Sequence, residues 1–261
     1  MSHPAHGRFV WYDLMTTDLS AAKAFYNQIV GWGTQPFGGG EVPYTMWTCG
    51  EDPIGGIMDL PLEVAEAGAP PHWIAYVAVN DVQVTCDRAA ELGGTVIHDP
   101  EDIEDAGCFA VLKDPQGAVF AIYYSDQLST DEAQPPTVGQ ISWHELATSD
   151  LDAGYGFYSD LFGWQILEDL DMGEGWMYRV YGQTGSFPLG GMFTKPDEMP
   201  GPPAWLYYIS VPSVDETVEK VKELGGQVLN GPMEVPGGDK IAQCADPQGA
   251  VFALHSSAPQ N

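Results

Sequence analysis

From Phe9 to Thr16 polar and apolar residues alternate with the two-residue period of a half-buried strand. Asp18 then stands where a helix N-cap would, ahead of Ala21, Phe25 and Ile29 at helical spacing and a terminating Gly31. Strands are expected around Tyr44–Cys49 and Pro53–Leu60, with Gly-rich turns between them. The pattern then restarts. Trp73–Val79 reads as a strand, Asp81 as a cap, and Val82, Cys86 and Ala89 as one helix face ending at Gly93-Gly94. Thr95–His98 and Cys108–Lys113 follow as strands, and the turn Asp114-Pro115-Gln116-Gly117 leads into Ala118–Tyr124.

The same order recurs 132 residues later. Trp11-Tyr12-Asp13-Leu14 meets Trp143-His144-Glu145-Leu146, and Phe25-Tyr26 with Gly31-Trp32 meets Phe157-Tyr158 with Gly163-Trp164. Trp73, Tyr76 and Leu92-Gly93-Gly94 meet Trp205, Tyr208 and Leu224-Gly225-Gly226, and Asp114 to Ala121 recurs unchanged from Asp246 to Ala253. Ser213 to Glu216 has the form of a capping box before Val214, Val218 and Val221. The chain is therefore read as four rounds of strand, helix and three strands. Two domains are expected, 8–125 and 139–257, joined by a Pro- and acid-bearing linker over 126–138.

Composition narrows the partners. With 44% apolar and 11% aromatic residues in 261, the chain is globular, and eight tryptophans point to large apolar contacts or aromatic-lined pockets. No apolar run reaches membrane-span length and the N-terminal residues lack a signal-peptide core, so a cytoplasmic monomer or homodimer is expected. A net charge of −28 repels phosphate, which makes nucleic acid and anionic membranes poor partners; the expected partner, a small organic ligand, rests on the aromatic residues instead. Cys49, Cys86, Cys108 and Cys244 form no CxxC and no pairing between the copies, and are read as free thiols.

The strand, Asp-Leu, helix with Phe-Tyr and Gly-Trp, second strand and helix closing on Leu-Gly-Gly, and Asp-Pro-x-Gly strand resemble the vicinal oxygen chelate superfamily. That superfamily includes glyoxalase I, the extradiol dioxygenases and the bleomycin resistance proteins. Its tandem glyoxalase-like group is the most similar. The resemblance implies an α+β fold: tandem glyoxalase-like domains, four βαβββ modules paired into two cup-shaped sheets, each cup holding a divalent metal or a ligand. It also implies metal ligands early in the first strand of a module and late in its last strand. Those positions hold Trp11 and Ala121 in the first half, and Trp143 and Ala253 in the second. The remaining positions fall on Trp73 or Ile74 and Met58 or Asp59, and on Trp205 or Leu206 and Met192 or Phe193. At least three of four expected ligands are gone from each half, so no cofactor is predicted at the usual positions. A divalent metal would need a displaced site, for which Glu145 and His255 are the candidates.

Strand parity places Trp11 and Asp13, and again Trp143 and Glu145, on the face away from the helices. A carboxylate beside an indole in a semi-apolar cup is suited to general-base work, which makes Asp13 and Glu145 the candidate catalytic residues; a strand-end hydrogen bond is the alternative. Trp11, Trp143, Tyr76, Tyr208, Trp47 and Tyr178 are the candidate ligand-binding residues, because aromatic concavities bind flat molecules by area and stacking. Trp73 and Trp205 are read as core, and His72, His98 and His144 as packing or surface residues. The segments Gly33–Glu41 and Lys195–Pro203 are read as loops over the cup mouths. Two functions follow: a metal-independent small-molecule-binding protein, or a glyoxalase-like lyase using Asp13 or Glu145 with an atypical metal or none.

Overall fold

The computed structural model describes residues 3–38, 44–173 and 175–258. The first round comprises β1 (Phe9–Thr16), α1 (Leu19–Val30), β2 (Gly33–Pro36), β3 (Thr45–Cys49) and β4 (Asp52–Asp59). A five-residue helix, α2 (Leu62–Glu66), precedes the second: β5 (His72–Ala78), α3 (Val82–Glu91), β6 (Thr95–Ile103), β7 (Gly107–Lys113) and β8 (Val119–Tyr124). The third holds β9 (Ile141–Thr148), α4 (Leu151–Phe162), β10 (Gln165–Asp171), β11 (Met177–Gly182) and β12 (Pro188–Thr194). The fourth holds β13 (Ala204–Ser210), α5 (Val214–Glu223), β14 (Gln227–Glu234), β15 (Lys240–Ala245) and β16 (Val251–Ser256). Two eight-stranded sheets result, ordered β2-β3-β4-β1-β5-β8-β7-β6 and β10-β11-β12-β9-β13-β16-β15-β14. This is the α+β architecture of tandem βαβββ modules. Among the described residues no helix is long and apolar enough to cross a membrane.

Local chemistry sets the helix limits. Asp18, Asp81, Asp150 and Ser213 each accept from the backbone N–H of the residue three further on, satisfying an orphan donor. Gly31 and Gly163 close α1 and α4 in the left-handed conformation, at φ 77° and 70°. The helix α2 and the strand β2 depart from the sequence reading. Gly33–Pro36 is not loop but an edge strand paired antiparallel with β3, with only its backbone to announce it; Gly39, Gly40 and Glu41 lie outside the described residues.

Contacts divide the chain into two units that do not follow the two halves of the repeat. One unit holds Met1–Val10, Ile74–Pro135 and Trp143–Trp205. In it Phe157, Tyr158, Leu161 and Phe162 of α4 pack with Val77, Leu112, Phe120 and Ile122 of the second round. Tyr158 donates to Asp114 Oδ2 at 3.0 Å and accepts from Trp205 Nε1 at 3.0 Å. Asp114 Oδ1 in turn takes the N–H groups of Gln116, Gly117 and Ala118, which shapes its turn.

The other unit holds Trp11–Trp73, Pro136–Ser142 and Leu206–Asn261. It repeats the arrangement: Tyr26 donates to Asp246 Oδ2 at 3.2 Å and accepts from Trp73 Nε1 at 3.0 Å, with Phe25 against Phe252. Burial raises the Asp246 carboxyl above its ordinary range, against the opposing pull of N–H donors and the Tyr26 hydroxyl. The recurring Phe-Tyr and Asp-Pro-Gln-Gly motifs are thus partners, each helix meeting the turn carried by the other half of the chain. Trp73 and Trp205 serve this core, as expected.

Candidate functional site

β1 and β9 each present one face to the core. Leu14 and Thr16 are fully buried on the first strand, as are Leu146 and Thr148 on the second. His144 belongs to the same face; its ring stacks on Phe9 at 3.7 Å, and its Nδ1–H donates to the Leu189 carbonyl at 2.7 Å. Burial pushes the His144 imidazole down to about 4, the Leu189 hydrogen bond opposing. Alternation then sends Trp11 and Asp13, and Trp143 and Glu145, to the opposite face.

Across from each carboxylate stands a glycine: Asp13 is opposite Gly56 on β4, and Glu145 opposite Gly191 on β12. A Cβ on Gly56 would lie 1.9 Å from the Tyr44 hydroxyl oxygen, and one on Gly191 would lie 2.2 Å from the Tyr178 ring. Without those Cβ atoms each tyrosine ring lies across the strand and reaches the carboxylate. Tyr44 donates to Asp13 Oδ1 at 2.6 Å and Tyr178 to Glu145 Oε2 at 2.9 Å. Trp11 Nε1 lies 3.0 Å from Asp13 Oδ1 and 2.6 Å from the Tyr44 hydroxyl, while Trp143 Nε1 donates to the Tyr178 hydroxyl at 2.8 Å. The preceding glycines, Gly55 and Gly190, also lack room for a side chain, since a Cβ would come within 2.0 and 1.9 Å of the Tyr12 and His144 carbonyl oxygens.

Each half therefore carries one Trp–carboxylate–Tyr cluster on a Gly-Gly floor, each within a single unit. Asp13 and Glu145 are buried while the indole and phenol rings are half-buried. Buried carboxylates are costly unless donors meet them, and the Tyr hydroxyls do so here. The arrangement offers an oriented carboxyl acceptor behind half-buried aromatic rings. The Gly-Gly doublets, at 55–56 and 190–191, were the part sequence reasoning missed; glycines inside a strand pattern mark a close approach, and their recurrence was the signal.

The other expected residues are distributed as follows. Tyr76 and Tyr208 are buried and stand opposite Ala121 and Ala253. Trp47 is fully buried among Tyr26, Trp32 and Trp73. The register explains this correction to the lining set: Trp47 pairs with Gly55, which pairs with Tyr12, on the face opposite Asp13. Its place near the carboxylate is taken by Tyr44. His72 meets the Pro70 carbonyl and His98 meets Glu101 and the Phe109 ring. His255 has Ser142 at Nδ1 and Asp239 at Nε2, both at 2.9 Å. The cysteines are free thiols, Cys86 and Cys244 buried.

The register also settles the ligand positions that the sequence left open. Met58 stands opposite Met15 and Phe193 opposite Ala147, on the carboxylate face, while Trp73 and Trp205 turn to the core and leave Ile74 and Leu206 on the other face. The positions expected to bind a metal thus read Trp11, Met58, Ile74 and Ala121 in one half, and Trp143, Phe193, Leu206 and Ala253 in the other. None is an imidazole or carboxylate donor, so these residues do not fit a divalent metal. Among the described residues no group of three or more His, Cys, Asp and Glu side chains could hold one elsewhere.

Comparison with known proteins agrees with the fold. A "Putative glyoxylase CFP32" of Mycobacterium tuberculosis is 36% identical over 253 residues, covering 96% of this chain and 95% of that protein. The "Anthracycline biosynthesis protein DauV" of Streptomyces sp. strain C5 is 30% identical over 268 residues, covering 97% and 94%. Among solved structures, the Mn(II)-bound glyoxalase of Novosphingobium aromaticivorans aligns with a TM-score of 0.63 at 18% identity, covering 99% of this chain and 84% of that one. The 2,3-dioxygenase LapB of Pseudomonas sp. KL28 aligns with 0.65 at 13%, covering 98% and 94%. The profile of one family matches twice, over residues 8–122 and 140–254, and the chain belongs to that family, the Glyoxalase/Bleomycin resistance protein/Dioxygenase superfamily.

Proposed function

We propose that the chain binds a flat organic small molecule, without a metal, at its Trp–carboxylate–Tyr clusters. The observation that carries this reading is the cluster itself, built twice on a Gly-Gly floor. Half-buried Trp11 and Trp143 supply stacking area. Asp13 and Glu145 accept, and so select a ligand hydroxyl or amino donor. Replacement of the expected metal donors by Trp, Met, Phe, Leu, Ile and Ala favours binding over metal-assisted chemistry. The Streptomyces relatives named for anthracycline biosynthesis support the ligand class, since anthracyclines are flat polycyclic quinones bearing hydroxyl groups.

The test is a titration of the EDTA-treated full chain with a dihydroxyanthraquinone, followed by quenching of tryptophan emission and by calorimetry. Saturable binding at one site per half is expected, with one site lost in Trp11→Ala and the other in Trp143→Ala. Binding unchanged in both variants, or binding that requires added divalent metal, overturns the proposal. The glyoxalase-like alternative is favoured by the relatives named as glyoxylases. It requires turnover of a 2-oxoaldehyde–thiol adduct that is lost in Asp13→Asn or Glu145→Gln.

A further inference from the structure

Ser142, Asp239 and His255 are distant in sequence and fall within one unit of the structure. β9 supplies the serine, the turn between β14 and β15 the aspartate, and β16 the histidine. His255 Nδ1 lies 2.9 Å from Ser142 Oγ, and Nε2 lies 2.9 Å from Asp239 Oδ2. An ionised carboxylate only accepts hydrogen bonds, so the neutral imidazole carries its proton on Nε2. That leaves the Nδ1 lone pair facing the serine hydroxyl. Asp239 is itself fixed, because its Oδ1 accepts from the Ala258 N–H at 2.8 Å. Burial pushes the Asp239 carboxyl up, but the hydrogen bonds from His255 and Ala258 outweigh it and hold it below the ordinary range. The Tyr208 carbonyl, 3.3 Å from Ser142 Oγ, is a second and more distant acceptor for the single serine proton, with His255 Nδ1 the nearer at 2.9 Å.

Two further observations separate this cluster from packing. The corresponding positions in the first half are Val10, Gly107 and Tyr123, so the fold is built there without it. The His255 and Asp239 side chains are 20% and 39% exposed, within reach of a solute. A hydroxyl beside a base that a third group orients is the general constellation for nucleophilic catalysis, with the two ring nitrogens here exchanged relative to the serine-protease arrangement.

We propose that Ser142, with His255 as base and Asp239 as positioning residue, forms a nucleophilic centre that cleaves activated esters of small carboxylic acids. Ser142 Oγ attacks the ester carbonyl carbon while its proton passes to His255 Nδ1. The bond from carbonyl carbon to the leaving oxygen breaks, and the leaving group departs as its alcohol with the proton from His255. Water then adds to the acyl-serine by the same route, releasing the carboxylic acid and restoring the hydroxyl. This centre uses none of the residues of the Trp–carboxylate–Tyr clusters.

The experiment treats the full chain with p-nitrophenyl acetate and, separately, with a fluorophosphonate probe. Peptide mass spectrometry then locates any acetyl or phosphonyl group. A covalent group on Ser142 is expected in the wild-type chain, which needs no variant to fold. Nitrophenolate release should vanish to background in Ser142→Ala and fall by about 10²–10⁴-fold in His255→Gln. Asp239→Asn should lower kcat with KM unchanged, because the amide can hold the wrong tautomer. A chain that stays unlabelled at Ser142, or hydrolyses equally well as Ser142→Ala, overturns the assignment.

Discussion

His144 gives the sharpest check on which face of β9 is core, and hence on where Trp143 and Glu145 point. Its imidazole is 5% exposed and stacked on Phe9, and burial lowers it from 6.5 to about 4. Above pH 6.5 the folded and unfolded chains both hold it neutral, and stability is unaffected. As pH falls below 6.5 the unfolded chain takes up a proton that the folded chain refuses. Stability then drops by about 1.4 kcal/mol per pH unit until the folded imidazole titrates near 4, which makes ~2 kcal/mol of loss at pH 5. Carboxylates also titrate over this range, so the quantity to measure is a difference. Urea unfolding at pH 7 and pH 5 should show the wild-type chain losing about 2 kcal/mol more than His144→Gln, which cannot titrate. Histidine-labelled NMR gives the direct reading: the His144 ring should remain neutral at pH 5. An His144 resonance that titrates near 6.5, or equal losses in the two proteins, would refute the parity on which the site rests.

Three further outcomes follow from the packing. Gly191→Ala places a methyl 2.2 Å from the Tyr178 ring, so the ring must swing away from Glu145; a loss of about 1–3 kcal/mol is expected, read as a lowered urea midpoint, and Gly56→Ala should behave alike through Tyr44. Tyr158→Phe removes the hydroxyl between Trp205 and Asp114 and leaves the indole N–H without that acceptor; stability should fall by about 1–3 kcal/mol, and a variant as stable as wild type would contradict the pairing of the two motifs. Arg179, 12% exposed, bridges Asp169 and Asp152 and lies over the Tyr155 ring; Arg179→Lys loses the planar fork and should cost about 1 kcal/mol or less, a cost that shrinks in high salt.

What could be read from the sequence followed from local rules. Asp18, Asp81 and Ser213 announced their helices, and the recurrence of the first announced the helix capped by Asp150, because capping depends on a residue and its neighbours three positions on. Parity on β1 and β9 announced the carboxylate face for the same reason. What escaped depended on register between strands. Tyr44 and Trp47 belong to the same β-hairpin arm, and only the pairing of Trp47 with Gly55 decides that one reaches Asp13 and the other enters the core. β2 and β10 sit at sheet edges, where exposed residues carry no alternation to read. His255 stood out as a candidate ligand, but its partnership with Ser142 and Asp239 left no trace, because no local pattern links three segments that meet only in the folded chain.

Register also changes what the duplication means. An exact recurrence such as Asp-Pro-Gln-Gly invites a functional reading, yet Asp114 and Asp246 are spent on their own turns and on Tyr158 and Tyr26. The identical motifs therefore hold the fold, each half supplying the turn that the other half's helix needs. A lone half would leave that aspartate and that tyrosine without each other, which argues that the two halves are stable only together. On the proposed readings, chemistry falls to positions where the copies differ in detail: Asp13 against Glu145, and His255 against Tyr123. If both clusters bind as proposed, a one-methylene difference in carboxylate reach gives two sites of the same design unequal ligands. The polar cluster at His255 has no counterpart in the first half, and any reaction it performs belongs to the second half alone.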